Sequence, residues 1–239
     1  MSSFSLARHF DEYFEIAPVK DQAARDEVFR LRYAVYCEEL AYENPSAFPD
    51  GRERDDYDDD SEFALLRHRA SGRAAGCVRL IINSRRPDLR FPFEQVCSDT
   101  LHADKLDLQN IDRNAMGEIS RLAVHQDFRR RRGEAGSPEG ITEPASHIGS
   151  DRRYPLVAMG LFLSASALAL NRGLEQVVVM MEPRLARLLS GCGIAFTQVG
   201  DVVDYHGRRG PFRIRRTELL SNIQSESEQL LQLLTGALA

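Results

Sequence analysis

No two of the four cysteines, Cys37, Cys77, Cys97 and Cys192, stand close enough to form a C-x-x-C pair. That excludes the usual zinc ribbon and the disulfide scaffold, and thiols scattered through a chain of 239 residues fit a reducing compartment. No apolar run is long enough to span a bilayer. The most apolar stretch, Leu156 to Leu170, is too short and too rich in alanine and serine. The first residues, MSSFSLARHFDEYFE, lack the apolar core of a signal peptide, so a cytoplasmic protein is expected. There is no basic excess either. A net charge of −5 argues against nucleic acid as a partner, because neutralising phosphates needs a strongly basic surface. No internal repeat is visible. The acidic run Asp55 to Asp60 misses the calcium-loop pattern, with Ser61 where glycine is needed and Arg67 where glutamate is needed, so no metal is assigned.

What remains is an ordinary globular composition, 43% hydrophobic and 28% charged. Tyr13 to Val19 reads as a first strand. Asp21 to Leu40 reads as a helix, with Val28, Leu31, Val35, Tyr36 and Leu40 at helical spacing and Asp21 as its cap. Tyr42 to Ser61 is loop. Glu62 to His68 and Gly76 to Ile82 form a hairpin across Ser71-Gly72. Asn83 to Asn114 shows no clear period, and Met116 to Val124 is a strong strand. Gly133 to Asp151 holds four glycines, two prolines and three serines and reads as a loop.

Tyr154 to Asn171 is a helix ended by Gly173, and Gln176 to Met181 is a strand buried on both faces. Arg184 to Ser190 is a short helix between Pro183 and Gly191. Ile194 to Val199 and Phe212 to Arg215 are late strands, and Ser221 to Ala239 is an amphipathic tail helix. This order predicts an α/β (α+β) sandwich around one mixed sheet.

Four stretches, in order, resemble the autoinducer (acyl-homoserine-lactone) synthases of the GNAT-type acyltransferase superfamily. They are Phe29-Arg30-Leu31-Arg32-Tyr33-Ala34-Val35-Tyr36 with Glu39-Leu40 and Tyr42; Glu53-Arg54-Asp55-Asp56-Tyr57-Asp58; Gly76-Cys77-Val78-Arg79-Leu80; and Glu118-Ile119-Ser120-Arg121-Leu122-Ala123-Val124. Tyr42 stands where the signal synthases commonly have tryptophan, a departure that bears on a homoserine-lactone product rather than on acyl transfer. Met181 to Leu189 and Asp204-Tyr205-His206-Gly207-Arg208-Arg209 resemble acyltransferases associated with exosortase/PEP-CTERM export, near the N-acyl amino acid synthases. The resemblance spans roughly residues 25 to 215. It implies a GNAT-like domain over 1–215, with a mostly antiparallel twisted sheet and a splayed parallel strand pair, followed by a helix over 216–239 that packs on the domain or on a partner.

The implied reaction moves a fatty acyl group from a thioester to the amine of an amino-acid-like acceptor. It needs a base for the amine, a donor for the oxyanion and close positioning of both reactants. Glu118 is the expected base, with Ser120 and Arg121 beside it as catalytic residues. Strand alternation places Glu118 and Ser120 on one face and Ile119 and Arg121 on the other. A structural ion pair of Glu118 with Arg79 or Arg32 is the alternative reading. Arg32, Arg79, Asp55 and Asp58, with Tyr36 and Tyr42, are expected to shape the substrate pocket, or to form a buried charge lattice and plain core.

Arg129, Arg130, Arg132 and Gly133 follow the strand where GNAT-type enzymes cradle a pyrophosphate. Arg130 to Ala135 matches R-x-x-G-x-A, and a solvated basic loop is the alternative. Glu182 and Arg184 are candidates for closing the acyl cleft, and Tyr205 and His206 for binding the acceptor or protonating the thiolate. No tightly bound cofactor is expected; the donor is an acyl carrier protein or coenzyme A thioester. Acyl carrier protein is the expected partner, docking on Arg129 to Arg132 with Arg152 and Arg153. A silent acyl-thioester-binding protein of the same fold is the non-enzymatic alternative.

Overall fold

The computed structural model describes residues 5–83, 86, 88–129 and 156–239. Helix α1 (Leu6–Tyr13) leads into strand β1 (Phe14–Pro18). Helix α2 (Gln22–Tyr33) starts where Asp21 accepts the Ala24 N–H at 2.8 Å. The long helix expected over Asp21 to Leu40 changes pitch part-way: Ala34–Glu39 is a π-helical continuation, closed by Leu40 N–H to Val35 O. β2 (Ser61–His68) and β3 (Ala74–Ile82) form the expected hairpin, with Gly72 in the left-handed region at its turn.

The segment without a clear period contains a short helix, α3 (Pro92–Val96). β4 (Met116–Val124), α4 (Leu156–Asn171) and β5 (Gln176–Met181) then form a strand–helix–strand unit. α5 (Pro183–Ser190), β6 (Thr197–Gln198), β7 (Val203–Asp204) and β8 (Arg208–Arg215) follow.

The tail differs from the single helix expected. It is two helices, α6 (Arg216–Asn222) and α7 (Ser225–Ala237), separated by an extended Ile223. The break has a packing cause. The turn after α5 presses on this point, with Gln224 N–H donating to Cys192 O, and Gly193 so close that a Cβ there would lie 2.2 Å from Asn222 O.

The sheet order is β1-β2-β3-β4-β5-β8-β6, with β7 paired to β8. Among the described residues only β4 and β5 run parallel. α4 is apolar around its whole circumference because it is covered on all sides: the sheet lies on one side, and Leu230, Leu231 and Leu234 of α7 belong to the same core. The opposite face of the sheet packs Val28, Phe29, Leu31 and Val35 against Phe63, Leu65 and Cys77, and carries a second cluster around Phe91, Phe93, Met116 and Val178. No helix among the described residues is long and apolar enough to cross a membrane.

Candidate active site

β4 and β5 pair from Met116↔Gln176 to Ile119↔Val179 and then part. The sequence supplies the cause. Along β3, Cys77 faces Ala123 but Arg79 faces Ser120, so Arg121 and Leu122 together oppose Val78. This bulge puts Arg121 in the left-handed region at φ 48°. The Leu122 carbonyl is taken by the Tyr36 hydroxyl at 2.9 Å. The gap is lined by Ser120, Arg121 and Leu122 on one side and Met180 and Met181 on the other, with Phe162 and Leu185 at its apolar end. It holds about 40 Å³, little more than the space of one water. An acyl chain needs Met180, Met181 and Leu185 to move aside, and methionine repacks readily.

Above the gap lies a lattice of charges. Arg32 has no exposed surface; its Nε donates to Glu53 and its Nη1 to Asp58 at 2.7 Å. Arg79 Nη1 reaches Asp55 at 2.5 Å and Asp58 at 2.6 Å, and its Nε donates to Ser120 Oγ at 3.0 Å. Arg121 pairs with Glu53 and Glu43 at 3.1 Å and with Asp55 at 3.4 Å. Simple strand alternation fails here: the bulge returns Arg121 to the side of Arg32 and Arg79. Burial pushes the Asp55 carboxyl up, yet Arg79, Arg121 and Arg32 outweigh it and hold it well below the carboxylate range.

Glu118 is 2% exposed. It does not line the gap; it sits beneath α3 and accepts the Phe93 N–H at 3.0 Å. That N–H is one of the donors a helix start leaves without an internal partner. The ion pair with Arg79 or Arg32 is not made: Arg79 Nη1 turns to Asp55 and Asp58, and Arg32 Nε and Nη1 to Glu53 and Asp58, while Arg32 Nη2 is buried with no hydrogen-bond partner among the described residues. Burial therefore pushes the Glu118 carboxyl up to about 8, against the opposing pull of the Phe93 N–H and Arg79.

Tyr36 and Tyr42 stack at 6.4 Å, and Tyr42 stacks on His206 at 4.8 Å. Burial pushes His206 below the usual imidazole range, with Arg209 and Arg121 adding to the effect against Glu43. Arg209 lies over the Tyr42 ring and lines the gap, and its Nε and Nη2 are buried with no hydrogen-bond partner among the described residues. The structure brings Arg32, Arg79, Asp55, Asp58, Ser120 and Arg121 into one lattice, with Tyr36 under Arg121 and Tyr42 stacked on Tyr36. Sequence reasoning gave no role to Glu43, Glu53 or Arg209 by residue; Glu53 and Arg209 stood inside quoted motifs, which was the available signal. Arg129 is committed elsewhere: its Nε donates to Val124 O at 2.9 Å and its Nη2 pairs with Glu39. Arg130, Arg132, Gly133, Arg152, Arg153 and the Gly133 to Asp151 segment lie outside the described residues.

A mixed sheet whose one parallel pair parts beside a carboxylate, flanked by helices on both faces, can be compared with known proteins. Residues 31–137 match the family described as acetyltransferase (GNAT) domain. The fold is GNAT-like. A curated acyl-homoserine-lactone synthase from Rhizobium radiobacter is 27% identical over 178 residues, 74% of this chain and 71% of that one. Among solved structures, TofI in a ternary complex with an inhibitor and MTA aligns with a TM-score of 0.59 and 21% identity, covering 94% of this chain and 99% of that one. BjaI, a CoA-dependent acyl-homoserine lactone synthase solved with MTA, aligns at 0.59 and 19%, covering 93% and 90%. FeeM, an N-acyl amino acid synthase from uncultured soil microbes, aligns at 0.57 and 13%, covering 88% and 94%. The charge lattice and the buried Glu118 are what this chain places around the parted strand pair.

Proposed function

We propose that the protein is an N-acyltransferase that moves a fatty acyl group from a thioester to the amine of an amino-acid-like acceptor. The observation that carries this reading is the parting of β4 and β5 at Ser120, beside a buried carboxyl poised near neutral pH. The similar proteins, named as acyl-homoserine-lactone and N-acyl amino acid synthases, support it.

In this scheme the thioester lies in the gap and the acceptor enters under Tyr42, His206 and Arg209. The unpaired Arg209 nitrogens suit a carboxylate on the acceptor. Ser120 lines the gap, and Glu118 lies two residues before it along β4, ~7 Å away on the same strand face. The proton leaving the amine therefore reaches Glu118 through the Ser120 hydroxyl or a water. Arg79 fixes the Ser120 hydroxyl. Arg121 and the carboxylates around it hold the gap's upper rim rigid. Positioning of this kind contributes ~7–11 kcal/mol to bimolecular reactions.

The donor proposed is acyl carrier protein, on the basic residues Arg130 to Arg132 with Arg152 and Arg153, since Arg129 is buried against Val124 O and Glu39; the link to exosortase/PEP-CTERM export rests on motif likeness alone. An acyl-homoserine-lactone product is the second reading, favoured by the Rhizobium radiobacter relative.

The test is mass spectrometry of lipid extracts from cells overexpressing the protein, followed by transfer assays with long-chain acyl carrier protein and acyl-coenzyme A at low and high salt. N-acyl amino acids are expected, with carrier-protein transfer weakened by salt. Homoserine lactones would establish the second reading. Thioester binding without any product would establish a silent binding protein, and equal, salt-independent use of both donors would remove the docking surface.

A further inference from the structure

A second concave site lies at the other end of β5. The 105–111 loop before β4, the 173–176 turn after α4 and residues 213–217 at the end of β8 enclose a groove of about 630 Å³. Its rim is Gln176, which pairs with Arg215, whereas the acyl-transfer gap opens at Met181. Those two positions are ~16 Å apart along the strand. The groove is therefore independent of the site described above.

Four cations line it, Lys105, Arg213, Arg215 and Arg216, against two acids, Asp107 and Glu175. Asp107 is already occupied by the Gln109 N–H at 3.0 Å and the Asn110 amide at 2.7 Å. The decisive residue is Arg213, which is 5% exposed on the inner side of β8. Its Nε has no hydrogen-bond partner among the described residues. The nearest carboxylate, Glu218, brings its Oε1 only to 3.6 Å of Nη2, and the same oxygen lies 3.7 Å from Arg215 Nη1. Burial and the neighbouring Arg215 push the Arg213 guanidinium below its ordinary value. A buried, under-paired cation is costly, and a folded protein keeps one where something supplies the missing charge.

We infer that this groove binds a small phosphate monoester, with Arg213 as its buried anchor and Lys105, Arg215 and Arg216 closing around the phosphoryl oxygens. Phosphate rather than carboxylate follows from the number of cations lining the groove, three from residues 213–216 and Lys105 from the loop before β4: one guanidinium fork satisfies a carboxylate, whereas a dianion with three free oxygens uses several donors. Glu175 is left to accept from a hydroxyl or amine on the ligand's body.

The test uses the full chain with inorganic phosphate and glycerol phosphate as probes, and acetate at matched ionic strength as control, read by calorimetric titration and melting temperature. Wild-type protein is expected to bind both phosphates and be stabilised by them, and not by acetate. Arg213→Gln should weaken binding by about tenfold or more. The exposed pair Lys105→Ala/Arg216→Ala should weaken it without disturbing the fold, which keeps the test valid if the buried variant is unstable. Acyl-pantetheine, which offers the thioester gap its ligand without any phosphate, should leave phosphate binding unchanged at saturating concentration. Binding unaffected by either variant, matched by acetate, or displaced by acyl-pantetheine overturns the inference.

Discussion

Glu118→Gln should make the protein more stable, and increasingly so as pH rises. The folded carboxyl holds its proton up to about 8, whereas the unfolded one releases it near 4.5. Below the lower value both states are protonated and the group adds no pH dependence. Between the two values the folded state binds a proton that the unfolded state has lost, so wild-type stability falls with pH by about 1.4 kcal/mol per pH unit from this group. By pH 7 the accumulated cost is roughly 3 kcal/mol, an order-of-magnitude figure for a fully buried carboxyl. Above about 8 both states are ionised and the difference levels off. Glutamine carries no titratable proton, and its carbonyl oxygen can still accept the Phe93 N–H. Urea unfolding of the wild type and the variant, at half-unit intervals from pH 4 to 8.5, isolates this group, because all other titrations cancel in the difference. A difference curve that stays flat from pH 5 to 8 refutes the buried, proton-holding Glu118. One that slopes the other way means that Arg79 dominates over burial.

If Glu118 is also the base, kcat/KM should rise with pH to a plateau above about 8, and the Gln variant should fall ~10²–10⁴-fold while melting no lower than wild type; near-normal turnover at pH 8 would make Glu118 structural. Arg32→Met leaves Glu53 and Asp58 facing each other without their shared cation and should cost about 3–5 kcal/mol by urea unfolding; a loss under about 1 kcal/mol would mean the lattice is wet. Arg121→Ala and Arg121→Gly both remove the pairs to Glu43 and Glu53, but only glycine is at ease at φ 48°, so the Gly variant should be the more stable by about 1 kcal/mol. Equal stability would show that the bulge relaxes once the side chain is gone.

The elements that carry their own period were legible before any coordinates. Met116–Val124 and Gln176–Met181 have the expected bounds, because an uninterrupted run of apolar β-formers between turn residues has few other ways to be buried. The cap at Asp21 and the hairpin across Gly72 were readable for the same reason: their chemistry is local. Charged residues in strands and helices announced a lattice, since Arg32, Arg79 and Arg121 need carboxylates wherever they are buried.

What the chain could not disclose one residue at a time is where long-range contacts override local pattern. The alternation rule put Arg121 opposite Glu118, and only pairing with β3 reveals that two residues face Val78 and turn it back. Nothing near residue 118 says that the start of α3 will sit over the carboxyl and offer it the Phe93 N–H. His206 and Arg209 meet Tyr42 from more than 160 positions away only because β8 lies beside β5 and carries their loop over the gap. Sequence determined which groups needed partners, because desolvation costs attach to residue types; tertiary structure decided which partners they received, because that depends on strand register and on how close the chain's distant turns come.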